Sequence, residues 1–144
     1  MFDTSHLHPM IVHFPIALII VGFLADFLSL FFSKKEPSLS KIGFYLMLLG
    51  TLGAISAVLA GEFFTNSHFT GKPGFILESH ELFAKTTMVI MILASIIRSI
   101  LVFVKKEVSA IKYVVFVLIA VAAATVSYTG YLGGNLVYNF MIGL

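Results

Sequence analysis

No cysteine occurs in the 144 residues, which excludes disulfides, thiolate metal centres and cysteine nucleophiles. Tryptophan is absent too, so any interfacial aromatic belt must come from the 15 phenylalanines and 5 tyrosines. Charge is scarce: only 11% of residues are Asp, Glu, Lys or Arg, while 59% are hydrophobic and the mean hydropathy is +1.04. A soluble domain of this length needs far more charge to keep its surface wet, so the bilayer is the solvent that fits. The net charge of +2 is too small and too scattered to serve nucleic acid. Nor does the chain offer a nucleophile–base pair, a phosphate loop or an acidic dyad, which argues against hydrolytic and phosphoryl chemistry. The start, Met1 to His6, lacks the basic segment of a signal peptide, and no small-residue cleavage site follows the first apolar stretch. That stretch is therefore expected to be a retained helix in a single membrane domain, with nothing further attached.

Four segments are long and apolar enough to cross a bilayer, which takes roughly 20 residues. They predict helices at about 10–33, 41–62, 79–105, and 111–134 or beyond. Lysines set the expected orientation. Lys34, Lys35, Lys41, Lys105, Lys106 and Lys112 fall in the first and third connections; Lys72 and Lys85 stand on the other side, among Asp3, Glu62, Glu78 and Glu81. The two short connections are thus read as cytoplasmic, with both termini non-cytoplasmic. Short connections favour antiparallel neighbours, and the expected fold is all-α, an up-down four-helix bundle in the membrane. Small residues recur at helical spacing in the second span (Gly50, Ala54, Ala57, Gly61) and the fourth (Ala120, Ala123, Ser127, Gly130, Gly134). Such stripes let backbones approach closely in lipid; they would also leave room for a flat cofactor.

All five histidines lie on the non-lysine side: His6, His8 and His13 around the start of the first span, His68 in the middle connection, and His80 at the expected start of the third. Ionisable groups in a membrane are costly and mark a functional site by default. Pro9 suits a first helical turn, whereas Pro15 either kinks a helix that has already begun or marks its regular start. In both cases His13 sits at irregular backbone. In a sequential bundle the first and third helices are diagonal, with axes about 11–14 Å apart if neighbours are 8–10 Å apart. That separation suits His13 and His80 as axial ligands on either side of a b-type haem, with His8 a substitute for His13 and with Gly130 and Tyr131 at the cofactor. Two alternatives stay open. One is a zinc or copper site, in a binding or transport protein, built from His8, His13, His68 and His80; the other is a cofactor-free structural subunit of a membrane complex, its histidines bonded to headgroups or carbonyls. Glu81 is a candidate to fix a histidine tautomer, and Ser127, Tyr128 and Tyr131 either face a cofactor or form an aromatic belt.

Asp26 and Arg98 are the two charges set within the apolar parts of the spans. Each precedes the lysine-side end of its helix by about two turns, and Arg98 follows His80 by a whole number of turns, so His80 and Arg98 share a face. An Asp26–Arg98 ion pair is one expectation; the other is that Arg98 snorkels to the headgroups.

The run His8-Pro9-Met10-Ile11-Val12-His13-Phe14-Pro15-Ile16-Ala17-Leu18 resembles the signature His-Pro-x-x-Val-His-Phe-Pro-x-Ala-Leu of a widespread bacterial four-helix membrane domain of unknown function. His80-Glu81 and Gly133-Gly134-Asn135-Leu136-Val137-Tyr138 extend the resemblance across essentially the whole chain. It implies a multi-pass protein of the bacterial plasma membrane. Some relatives are fused to Rieske-type or cytochrome c domains, which implies electron transfer with redox partner proteins and favours haem over zinc. Relatives often carry a further histidine just after the Leu-Val-Tyr; Asn139-Phe140 stands here instead, so no role for that histidine transfers. The partners expected on this reading are the lipid bilayer and, in a homo-oligomer, further copies of the chain.

Overall fold

The computed structural model describes residues 7–32, 35–64, 70–105 and 110–140, apart from the side chains of 7–10 and 64. They form α1 (Leu7–Phe32), α2 (Ser38–Phe64), α3 (Lys72–Phe103) and α4 (Ile111–Phe140). All four are long and apolar enough to cross a membrane. Consecutive helices pack side by side, and α1 also packs on α4, so the four close into an up-down bundle with α1 diagonal to α3. The predicted fold class is therefore the one found. Several helix bounds differ from those expected, and two of the starts bear on the site. α1 begins at Leu7 and continues unbroken through Pro15; Pro9 lies in the first turn, where no backbone N–H is needed. Pro15 lacks the N–H that Ile11 would otherwise bond, and it is buried on α2, where a Cβ on Gly53 would come within 3.2 Å of its own Cβ. α3 begins at Lys72, seven residues ahead of the expected 79, capped by Gly71 at φ 78° with Pro73 in the first turn. Gly71-Lys72-Pro73-Gly74 reads as loop by composition, yet a positive-φ glycine followed by proline is also a helix start.

Large apolar side chains point outward: Leu52, Phe75, Ile96, Ile100, Phe103 and Val117 are all exposed. The interior is built from smaller or polar groups around Ile19, Met47, Met91 and Ile119. Lipid tails are as apolar as leucine, so burying leucine gives helices no drive to associate; close packing and interhelical hydrogen bonds supply it instead. α3 carries the polar contacts along one buried face. His80 and Thr87 reach α4, Ser95 meets the Thr51 hydroxyl of α2 at 2.7 Å, and Arg98 reaches α1 and α2. Thr51 and Ser95 carried no signal in the sequence, because a hydroxyl in a span satisfies its own helix's carbonyl as readily as a neighbour's.

The lysine end of the bundle is fastened by charge. Both Arg98 guanidinium nitrogens donate to the Asp26 carboxylate, Nη2 to Oδ1 at 2.8 Å, and Nη2 also donates to the Ser40 carbonyl at 2.8 Å. Both residues are buried. Of the two sequence expectations the ion pair is the one formed, and the guanidinium lies over the Phe44 ring at 5.7 Å. Gly43 makes this possible: a Cβ there would stand 2.3 Å from Asp26 Oδ1.

Candidate functional site: a chamber between two histidines

At the opposite end the four helices enclose a chamber of about 360 Å³. α1 contributes His13, Pro15 and Ile16, α3 contributes His80 and Thr87, and the small side chains Ala54, Ala57, Gly130, Gly133 and Gly134 of α2 and α4 form much of the remaining wall. Its volume is within the range of small-molecule sites, roughly 300–1,000 Å³. Among the described residues none lining the chamber is charged by type apart from the two imidazoles, so these walls suit a ligand with an apolar body. Below Thr87 and Ala54 lie Met47, Met91, Ile19 and Ile119, each almost wholly buried. Among the described residues the chamber therefore ends in packed core and does not continue to the Asp26–Arg98 pair.

His80 is held by backbone. It is 9% exposed, and its Nδ1 lies 3.0 Å from the carbonyl oxygen of Thr129 on α4. A carbonyl only accepts, so the bonded Nδ1 carries a proton. This arrangement is the usual outer partner of a ligating histidine. Gly133, one turn beyond Thr129, leaves the room: a Cβ there would stand 3.2 Å from His80 Cε1. His13 is exposed on one side and lines the chamber on the other.

Of the residues singled out from sequence, His13, His80 and Gly130 meet at the chamber. Tyr131 does not line it; that ring is exposed and stacks on Tyr128 with centroids 6.1 Å apart. Glu81, next to His80 in the chain, is exposed, and the Thr129 carbonyl is the partner of His80 Nδ1. The side chain of His8, together with His6 and His68, lies outside the described residues. Among the described residues no three His, Cys, Asp or Glu side chains are grouped to hold a metal ion. Thr87, Thr129 and Gly133 were not anticipated. Only Gly133 left a trace, in the Gly133-Gly134 pair, because a carbonyl's availability depends on which neighbour packs against it.

The chain was compared with known families, curated proteins and solved structures. The family described as "Predicted membrane protein (DUF2231)" matches residues 4–144. The chain belongs to that family. No curated protein and no solved structure matches it. DUF2231 membership agrees with the four spans and names no ligand, so the chemistry of this DUF2231 chain rests on the chamber.

The donor types at the chamber, two imidazoles amid apolar walls, are ones a b-type haem uses. Two imidazoles come from diagonal helices, one of them bonded through Nδ1 to the Thr129 carbonyl. Between them the walls are apolar, and at Gly134 a Cβ would meet nothing within 4 Å. No covalent anchor is required for a b-type haem, which agrees with a chain that has no cysteine.

Proposed function

We propose that this DUF2231 protein is a cytochrome-like membrane protein that binds haem b between His13 and His80 and passes electrons. One observation carries the reading: His13 and His80, 67 positions apart in the sequence, line the same apolar, small-residue chamber. When bound, haem supplies reversible one-electron chemistry at its iron. The chain's own part is to hold and insulate. Thr129 fixes the His80 ring through its carbonyl, Gly133 gives that ring its place, and the packed core beneath Thr87 keeps the bilayer centre dry. A transition-metal carrier would need a polar path across the membrane, and the core around Met47 and Met91 interrupts any such path among the described residues. The lysine-bearing connections are cytoplasmic on this reading, which puts the chamber near the outer face of a bacterial plasma membrane.

The test is a reduced-minus-oxidised visible spectrum of protein produced with ample haem, beside His13→Ala and His80→Ala variants. The expected result is a sharp b-type α-band that both substitutions abolish. Folded protein without a Soret band would refute the proposal. Metal analysis of the same sample would then separate a zinc or copper site from a cofactor-free structural subunit.

A further inference from the structure

The four seams between neighbouring helices are not equally closed at the height of the chamber. The α1–α2 seam is filled by Pro15 seated on Gly53. The α2–α3 seam is spanned on its outside by the Lys85–Glu62 ion pair at 3.0 Å. The α3–α4 seam is spanned by the edge-to-face contact of Phe83 with Tyr128, centroids 4.8 Å apart, and by the His80–Thr129 bond. The α1–α4 seam differs along its length. Toward the lysine end it is packed with rings, Phe23 lying 5.6 Å and Phe27 6.4 Å from Phe116. Higher up, Ile16 meets Gly130, where a Cβ would come within 3.3 Å of Ile16 Cδ1. Above that contact stand the exposed members of the chamber wall: His13 on α1, and Val137 and Tyr138 on α4.

We infer that the chamber is entered sideways, through the upper α1–α4 seam, from the headgroup layer at that end of the bundle. His13 and Tyr138 are the posts of the opening, and the Ile16–Gly130 contact is its sill. The chemical class of what enters rests on the haem reading: a planar ring with an apolar body and an anionic edge. The described lining residues include no lysine or arginine to pair a carboxylate, and an unpaired charge is not buried in apolar surroundings. The carboxylates of such a ring therefore stay at the mouth, in water and headgroups, while the ring slides between the imidazoles.

The seam is testable without haem, because the chain has no native cysteine to interfere. Ala57→Cys places a thiol on the α2 wall of the chamber. Its rate of reaction with N-ethylmaleimide is measured in lipid nanodiscs, alone and with a tryptophan added at the mouth (Val137→Trp) or on the exposed face of α3 (Leu82→Trp). The expected result is a tenfold or greater slowing with Val137→Trp and less than a twofold change with Leu82→Trp. If Val137→Trp lowers the melting temperature, Tyr138→Trp, at a residue 84% exposed, replaces it. An Ala57→Cys thiol that does not react in the parent, or that is slowed equally by Leu82→Trp, overturns the inference. The two readings fail separately: absence of a haem spectrum leaves the labelling rates to decide the seam, and unaffected rates leave the spectrum to decide the cofactor.

Discussion

The Asp26–Arg98 pair offers the sharpest energetic test, because both side chains are about 95% removed from solvent, at 5% and 6% exposure. Substituting Arg98→Met deletes two hydrogen bonds to the carboxylate and strands Asp26 beside Gly43. Hydrogen bonds involving charged groups contribute about 1.5–3 kcal/mol each, and breaking a buried ion pair from one side costs about 3–5 kcal/mol. The expected loss for Arg98→Met is therefore about 3–5 kcal/mol. Asp26→Asn preserves shape and one acceptor, so its loss falls at or slightly below the lower end of that range. The double variant leaves no charge unpaired and should lie within about 2 kcal/mol of the parent. The coupling energy is then about 3 kcal/mol or more, far above the few tenths expected of independent sites. The assay is reversible unfolding in mixed micelles, followed by helical ellipticity and arranged as a double-mutant cycle. Additive single losses, or an Arg98→Met loss below about 1 kcal/mol, would refute the reasoning and restore a snorkelling arginine. Gly43→Ala belongs to the same argument. Its Cβ would stand 2.3 Å from Asp26 Oδ1, so it should destabilise despite the roughly 1 kcal/mol that alanine gains over glycine within a helix.

The neighbouring glycines Gly133 and Gly134 should respond differently to alanine. Gly134→Ala enters open space and should keep or raise stability by up to about 1 kcal/mol. Gly133→Ala pushes on His80 and should weaken its bond to Thr129, offsetting that gain by about 1 kcal/mol; nitrogen chemical shifts of His80, read by NMR without haem, should then lose the signature of a fixed Nδ1–H tautomer. Orientation is checked by membrane-impermeant maleimide on intact cells. Thr70→Cys, between α2 and α3, should label from outside, and Glu36→Cys, between α1 and α2, only after lysis; the reverse pattern would invert the assigned sides.

The four spans, their antiparallel order and the face shared by His80 and Arg98 follow from the sequence alone. Each depends on a period or a length: about 20 apolar residues per crossing, 3.6 residues per turn, and connections too short to allow anything but neighbours. The polar residues easiest to find were those costliest to bury, because histidine, aspartate and arginine are rare enough in a span to stand out singly. Threonine and serine are not. Thr51, Ser95 and Thr87 are ordinary in any helix, and only packing decides whether a hydroxyl turns to a neighbouring helix. The early start of α3 was hidden for a related reason, since Gly71-Lys72-Pro73-Gly74 is compatible with both a turn and a capped helix. Tertiary structure also decided between a paired and a snorkelling Arg98, placed Tyr131 outside the chamber, and set His80 Nδ1 against a backbone carbonyl. A backbone carbonyl is present at every position, so sequence carries no mark of the one that will be used. That of Thr129 becomes available to His80 where α3 and α4 meet at Gly133, and that meeting is a property of the packed bundle.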